Sequence, residues 1–256
     1  MTASRHGAAL AALAALGILA GCIGDAGASP LSGQPPSAVL SAALATLTAG
    51  GTAHIAISTT TASGSITCSN EATASGGWQI ITAGTGERVV IMLINGVGYV
   101  AGNASGLEAF MQVPGSQARA NAGKWIAVRP GQQVGEHSYG DITDGITLAA
   151  VASEVTPAGP LTLTAPTVVA GQPSIGVQGH APAGQHVPGT ARATLFVAIN
   201  GARPLLYEVS GASGYRDQVT FSNWGGSVQL SVPPHAIPAA ALQAPVLASA
   251  GKGLVS

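Results

Sequence analysis

The chain has little charge. Only 7% of its 256 residues are charged, with nine Lys+Arg against ten Asp+Glu and a formal net charge of -1. Neutralising a phosphate backbone needs a basic surplus, so charge-driven nucleic-acid binding is excluded. Aromatic residues make up 4% of the chain, and there are two cysteines, Cys22 and Cys68. That is too few for a disulfide framework. The apolar run Ala8–Ala20 falls short of the roughly 20 residues that a membrane-crossing helix needs. What the chain does have is 46% hydrophobic residues, ample for a core, together with 36 glycines and 16 prolines. Apolar content at that level excludes the charged, apolar-poor disordered class. The length fits one large domain or two small ones, and all-β domains of this size are common.

The N-terminus is the most informative stretch. Arg5 supplies a positive start, Ala8–Ala20 is an uncharged apolar segment, and Leu19-Ala20-Gly21-Cys22 closes it. This order reads as a secretory signal, and the last four residues resemble a bacterial lipobox, in which the Cys thiol is diacylated before cleavage. The small residues at 20 and 21 fit a peptidase cleft, and the thiol is the group there that can carry a thioether lipid. The expectation is a signal peptide over 1–21 and a mature chain beginning at lipidated Cys22. The other reading is an ordinary signal peptide with a coincidental cysteine, which would leave a Cys22–Cys68 bridge possible. Residues 22–36, rich in Gly, Ala, Ser and Pro, read as a flexible tether. Two acyl chains give the two signals that stable anchoring requires. The body is therefore expected outside the cytoplasm, on the outer face of the cell membrane, as a monomer.

Beyond the tether, Leu40, Leu44 and Leu47 recur at helical spacing after Ser37, predicting a helix over 37–48 that stops at Gly50-Gly51. Alternation predicts strands over 52–59, 64–69 and 77–82. Arg88–Ile94 is a continuous apolar run, which predicts a strand covered on both faces. Asn95-Gly96 and Asn200-Gly201 predict tight hairpin turns. Leu107, Phe110 and Met111 suggest a short helix or a lid within 102–122. Lys124–Val128 resumes as a strand, and Asp141–Ser153 reads as a second helix despite Gly145. Strands are expected again over 161–165, 174–178, 191–199, 205–210, 218–222 and 227–232. The Ala-rich end, 236–256, reads as a poorly ordered tail. No period of 20–50 residues repeats, so a solenoid or propeller is not expected. About a dozen strands and two or three helices point to a large curved antiparallel sheet with helices on one face, a mainly β form of the α+β class, over 37–235.

Motifs for chemistry are sparse. No His pair has zinc-ligand spacing backed by Cys or by a helical His-x-x-x-His, so no metal site and no cofactor is expected. There is no Gly-x-Ser-x-Gly elbow and no Gly-Lys-Ser/Thr phosphate loop. Asp141 and Asp144 read as helix-end acids rather than a catalytic dyad. His54 falls on the polar face of its strand, and His180 and His186 share a Pro/Gly loop. Cys68 reads as a buried, inert thiol. A hydrolase with an unrecognised triad is the enzyme alternative, and no catalytic residue is expected. The scarce aromatics, Trp78, Trp125, Trp224, Phe110, Phe196 and Phe221, read as core or as the wall of an apolar cavity.

The lipobox, the mature N-terminal helix, the meander ending in Asn95-Gly96-Val97-Gly98-Tyr99-Val100, the segment Gly123-Lys124-Trp125-Ile126-Ala127-Val128 and a later hairpin together resemble actinobacterial envelope lipoproteins. These are the LppX/LprG-type proteins of the LolA/LolB-like superfamily. The resemblance covers most of 37–235 and is one of order and spacing. It implies an antiparallel half-barrel of about eleven strands with helices packed on its concave side. It further implies a non-catalytic protein that holds the acyl chains of a lipid or glycolipid between sheet and helices. Candidate lining positions are Ile57, Trp78, Ile80, Val90, Met92, Trp125 and Phe196, with residues 103–122 and 141–153 as gates. A one-residue slip in register would invert every one of those choices. The alternative is a surface interaction or sensor domain of the same fold without a lipid cargo.

Overall fold

A computed structural model describes residues 31–182 and 191–242. Cys22, the tether up to residue 30, His186 and the tail after Leu242 lie outside the described residues. In chain order the elements are α1 (Pro36–Ala49), β1 (Thr52–Thr61), β2 (Gly64–Thr73), β3 (Gly77–Ala83), β4 (Arg88–Ile94) and β5 (Val97–Gly102). There follow α2 (Ala104–Met111), α3 (Gly115–Asn121), β6 (Ile126–Val128), β7 (Gln133–Val134), β8 (His137–Ser138), α4 (Tyr139–Thr143) and α5 (Leu148–Glu154). The second half holds β9 (Ala158–Leu163), β10 (Thr167–Val169), β11 (Gln172–His180), β12 (Arg192–Ala198), β13 (Pro204–Ser210), β14 (Arg216–Ser222) and β15 (Ile237–Pro238).

Thirteen strands form one open sheet in the order β10-β11-β12-β13-β14-β1-β2-β3-β4-β5-β6-β15, with β9 also on β11. Every pairing is antiparallel except the two-residue β15 alongside β6. The expected half-barrel with helices on one side is the fold observed. Among the described residues, no helix is long and apolar enough to cross a membrane.

Register explains the core. One row across the sheet runs Phe221, Ile55, Asn70, Gln79, Ile91, Val100, Ile126, each directly opposite the next. Side chains alternate between faces along a strand, so these residues and their neighbours two positions away share the helix-covered face. Two apolar clusters fill that face. The first gathers α1 and α5 over β1 and β11–β14, with Leu47, Ile55, Leu195, Val177 and Tyr207 wholly buried. The second gathers α2, α3 and α4 over β4–β6, with Ile91, Leu107, Ile126 and Ile142 at its centre.

Several expected elements shift. α1 starts after Pro35, with Pro at its first position, where the ring pre-sets φ and no amide partner is lost. Ser37 lies inside the helix, and the buried face is Val39, Leu40, Ala43 and Leu47, with Leu44 only half-buried. The expected helix over 141–153 is broken into α4 and α5 by Gly145, which sits at φ +70. β4 is covered unequally: Val89, Ile91 and Leu93 are buried, whereas Val90 and Met92 are half-buried. Covering on both faces belongs to parallel sheets between helix layers, and this sheet carries its helices on one face only.

The expected strand over 227–232 joins no ladder. Instead, residues 223–236 form an extended strap. It leaves Thr52, whose Oγ1 donates to the Gly226 carbonyl at 2.6 Å, and reaches Trp125, whose carbonyl accepts from Ile237 N at 2.9 Å. Thr52 alternates to the outer face with His54, so the strap passes over the sheet's outer side. There Tyr99 is only 8% exposed, and Pro233 of the strap is buried. Residues 237–242, the start of the expected tail, pair with β6 and then bury Ala239 and Leu242 in the second cluster.

The two Asn-Gly pairs diverge. Asn95 and Gly96 both take positive φ (52 and 73), the two-residue turn expected. At the other pair, Gly201 and Ala202 are left-handed, and Ala198 N bonds the Arg203 carbonyl around a longer loop.

Gly106 decides how closely α2 can lie on the sheet. Helix propensity favours Ala over Gly by up to about 1 kcal/mol, but a Cβ here would overlap the Arg88 backbone. Backbone cannot swing aside, so overpacking at about 1–3 kcal/mol outweighs propensity. Gly106→Ala is expected to lower unfolding free energy in a denaturant titration, the reverse of what an exposed helical glycine would give.

Candidate functional site

A polar seam divides the two clusters. In the central row, Asn70 and Gln79 stand between Ile55 and Ile91, and both are buried. The link between α4 and α5 crosses the sheet here, because Gly145 breaks the helix and leaves backbone groups in need of partners. Asn70 Nδ2 donates to the Gly145 carbonyl at 2.6 Å, and Thr73 pairs with Thr147. A side chain on Gly77 (φ +158) would collide with the Glu71 and Ile146 carbonyls, so the linker's approach requires glycine.

Next to the seam lies an acidic group of side chains. Asp217, on the helix-covered face of β14, accepts from Thr59 Oγ1 at 2.7 Å. Burial pushes the Asp217 carboxyl upward despite that bond and one from the Gln218 backbone. Glu154 at the end of α5 is pushed up to about 7, by burial first and then by the Asp144 and Asp217 charges. Cys68 on β2 is pushed up to about 12, by burial and then by Glu154, which keeps the thiol protonated and unreactive at neutral pH. Its Sγ donates to Gln79 Oε1 at 3.7 Å.

Beyond the seam the helix-covered face opens. The row Ile57, Cys68, Ile81 is half-buried, and the row Thr59, Ile66, Ala83 borders a trough of about 440 Å³. The tips of the β1–β2 and β3–β4 hairpins form one wall, and Ala109 and Phe110 of α2 form the other. Ile66 is 43% exposed, one of the few large apolar side chains in that state. Hydroxyls of Thr61, Ser63, Ser65 and Thr85 rim the opening together with Glu87. A Thr85–Glu87 hydrogen bond holds the Glu87 carboxyl below its ordinary value. α2 is fixed beside this mouth by Asn103, which caps it through Gly106 N at 2.8 Å and donates to the Gly86 carbonyl at 2.8 Å.

The seven candidate lining residues separate by face. Ile57 lies on the helix-covered face, next to the trough. Strand alternation puts Trp78, Ile80, Val90, Met92 and Phe196 on the outer face, and Trp125 follows the same alternation just ahead of β6. There Trp78 stands opposite Met92, and Ile80 opposite Val90, beside the path of the strap. These six do not line a space between sheet and helices. Val90 and Met92 are as apolar as Val89, Ile91 and Leu93, so composition could not tell the faces apart. The trough residue missed was Ile66, a lone apolar position between serines and threonines. Its only signal was its place two residues from Cys68 on one face. Phe110 stood out as one of three phenylalanines in a suspected lid, without a wall to face.

Other singled-out residues take structural places. Asp141 forms a capping box with Ser138, accepting from its backbone N at 2.9 Å and its Oγ at 2.7 Å, which lowers the Asp141 carboxyl. Asp144 ends α4 rather than starting a helix. His54 Nδ1 lies 2.9 Å from Glu71 Oε1. Phe221 and Trp224 stack with centroids 6.2 Å apart. Among the described residues no three His, Cys, Asp or Glu side chains gather as metal ligands.

No protein-family model and no curated protein matches the chain. Solved structures do. LprF from Mycobacterium bovis is 15% identical over 77% of this chain and 96% of its own, with a TM-score of 0.47. MucB in complex with MucA is 14% identical over 83% and 60%, with a TM-score of 0.37. A LolA superfamily protein from Nitrosomonas europaea is 12% identical over 77% and 94%, with a TM-score of 0.30.

The acidic seam sets a pH dependence. Glu154 titrates near 4.5 when free but near 7 in the fold. The native state therefore binds more protons than the unfolded chain between those values, and stability falls as pH rises through that window, then levels off. Asp217 is raised in the same direction. Glu154→Gln is expected to gain on the wild type from pH 5 to pH 8, by at most about 3 kcal/mol in unfolding free energy. Parallel stability curves for the two proteins would contradict this.

Proposed function

We propose that this chain is an envelope lipoprotein, anchored through diacylated Cys22, that takes the acyl chain of a lipid or glycolipid into the trough beside α2 and carries or presents it. No bond is made or broken in the cargo. The observation that carries this reading is the opening of about 440 Å³ in which half-exposed Ile66 faces Phe110 across the end of the sheet. Over β1, β4–β6 and β11–β14 the same face is filled by the two clusters, and beside α2 it is left open. A volume of several hundred Å³ suits a small-molecule site. Burial of an acyl chain contributes roughly 25 cal/mol per Å² of apolar surface, offset by ordering costs.

Polarity around the trough suits an amphiphile. Apolar groups line both walls (Ile66 and Ala83 on the sheet, Ala109 and Phe110 on α2), and the hydroxyls at the rim can bond a headgroup. α2 and α3, within the lid expected over 103–122, are the elements placed to gate entry. A second reading, an interaction or sensor domain without cargo, is favoured by the completeness of the two packed clusters.

Two outcomes test the proposal. Protein purified gently and analysed by native mass spectrometry is expected to carry acyl lipid. Ala109→Trp, an exposed change on the trough wall, is expected to weaken binding of a fluorescent palmitate at least about tenfold with unfolding unchanged. Lipid-free protein that ignores the probe would support the cargo-free reading. Separately, Cys22→Ser is expected to abolish incorporation of labelled palmitate and to release the chain from membranes.

A further inference from the structure

On the outer face, where Arg216 of β14 pairs with Thr60 of β1 behind one edge of the trough, β11–β14 carry a second concavity of about 390 Å³. Two cross-strand rows supply its lining residues Gln178, Thr194, Glu208, Arg192, Ser210 and Arg216. One is Gln178, Thr194, Glu208, Gln218, and the other is His180, Arg192, Ser210, Arg216, each residue opposite the next. Strand spacing of about 4.8 Å puts Arg192 and Arg216 on either side of Ser210. The half-buried Tyr215 ring closes one end.

Bonding within the groove leaves capacity for a guest. Glu208 Oε1 accepts from both Arg216 Nη2 (3.1 Å) and Gln218 Nε2 (2.6 Å), so both bonds fall on one carboxylate oxygen. Among the described residues Arg192 reaches only Gln178 Oε1, at a long 3.4 Å, and no carboxylate there lies within 4.0 Å of it. Gln178 and Thr194 meet at 3.3 Å. The groove thus holds two guanidinium groups against one carboxylate, in a chain whose overall net charge is -1.

We infer that this groove is a binding site for an acidic saccharide, a sugar carrying a carboxylate. An unpaired guanidinium recognises a planar carboxylate by two parallel bonds. The Glu208 carboxylate, which would repel a bare anion, accepts from sugar hydroxyls, while Gln178, Thr194 and Ser210 can both donate and accept. A membrane surface is a poorer fit, because attraction to anionic lipid is built from clusters of about four to eight cations. The assignment does not depend on what the trough holds.

Titration calorimetry of the full chain in detergent tests it, with trigalacturonate, maltotriose and inorganic phosphate as probes. Trigalacturonate is expected to bind with a Kd below about 1 mM, and maltotriose at least about tenfold more weakly. Arg192→Gln and Arg216→Gln, both exposed, are each expected to weaken trigalacturonate at least about tenfold while unfolding is unchanged. Ser210→Trp, which fills the groove without touching its charge, should do the same. The inference is overturned if trigalacturonate gives no heat up to about 10 mM, or if phosphate binds as tightly with the same Arg dependence. Retention on phosphatidylglycerol vesicles that Arg192→Gln abolishes, with no saccharide bound, would overturn it in favour of a membrane contact.

Discussion

The bond from Asn70 to the Gly145 carbonyl is the constraint on which the interior depends. Gly145 ends one helical segment and lets the chain turn toward the next, which brings peptide groups against the middle of the sheet, away from water. A buried carbonyl without a partner costs about as much as a lost hydrogen bond. Asn70 meets that cost at 2.6 Å across 75 residues of sequence. Its own Oδ1 has no partner among the described residues. The polar pair Asn70–Gln79 therefore sits in an otherwise apolar row, and the interior divides into two clusters rather than one. Where the seam runs out, neither cluster covers the sheet, and the trough begins.

Much of this architecture was legible in sequence because it rests on local rules. Alternation marked most strands, Asn95-Gly96 fixed its hairpin through two residues that tolerate positive φ, and Leu40 and Leu47 marked the buried side of the first helix. The sites that escaped depend on long-range facts. Gly145 looked tolerable within a helix, and only a sheet residue 75 positions earlier makes the break favourable. Val228 and Leu230 alternate like a strand, yet every neighbouring strand position is taken, so the segment becomes a strap with its half-buried residues toward the sheet. β4 is apolar on both sides, with Val90 and Met92 half-buried on the outer face. A strand apolar on both faces carries no sign of which one meets the helices, so the choice of Val90 and Met92 had no local guide, whereas Ile57 lies on the covered face.

The few charges are placed with consequence. Arg192, Arg216 and Glu208 stand in water on the outer face, where ion pairs contribute little to stability. Asp217 and Glu154 stand on the inner side, where burial makes ionisation costly. Stability alone would favour apolar residues there, as at Ile57 and Ile81 beside them. Asp217 and Glu154 therefore cost stability as they ionise, unlike the exposed charges of the outer face.

Those carboxylates also limit what the trough can accept under the proposed reading. A phosphate drawn toward Asp217 and Glu154 would raise both carboxyls further and meet repulsion to the extent that they are ionised. An acyl chain carries no such penalty, and Ile66, Ala83, Ala109 and Phe110 present it with apolar surface. Orientation is then decided by electrostatics rather than by shape: tail toward the sheet, headgroup among the hydroxyls of Thr61, Ser63 and Ser65. The Glu87 carboxyl at the rim, stabilised in its ionised form by Thr85, further disfavours an anionic headgroup at that side. Under the proposed reading, neutral, hydroxyl-rich headgroups meet neither obstacle, and a glycolipid would fit the trough better than a phospholipid.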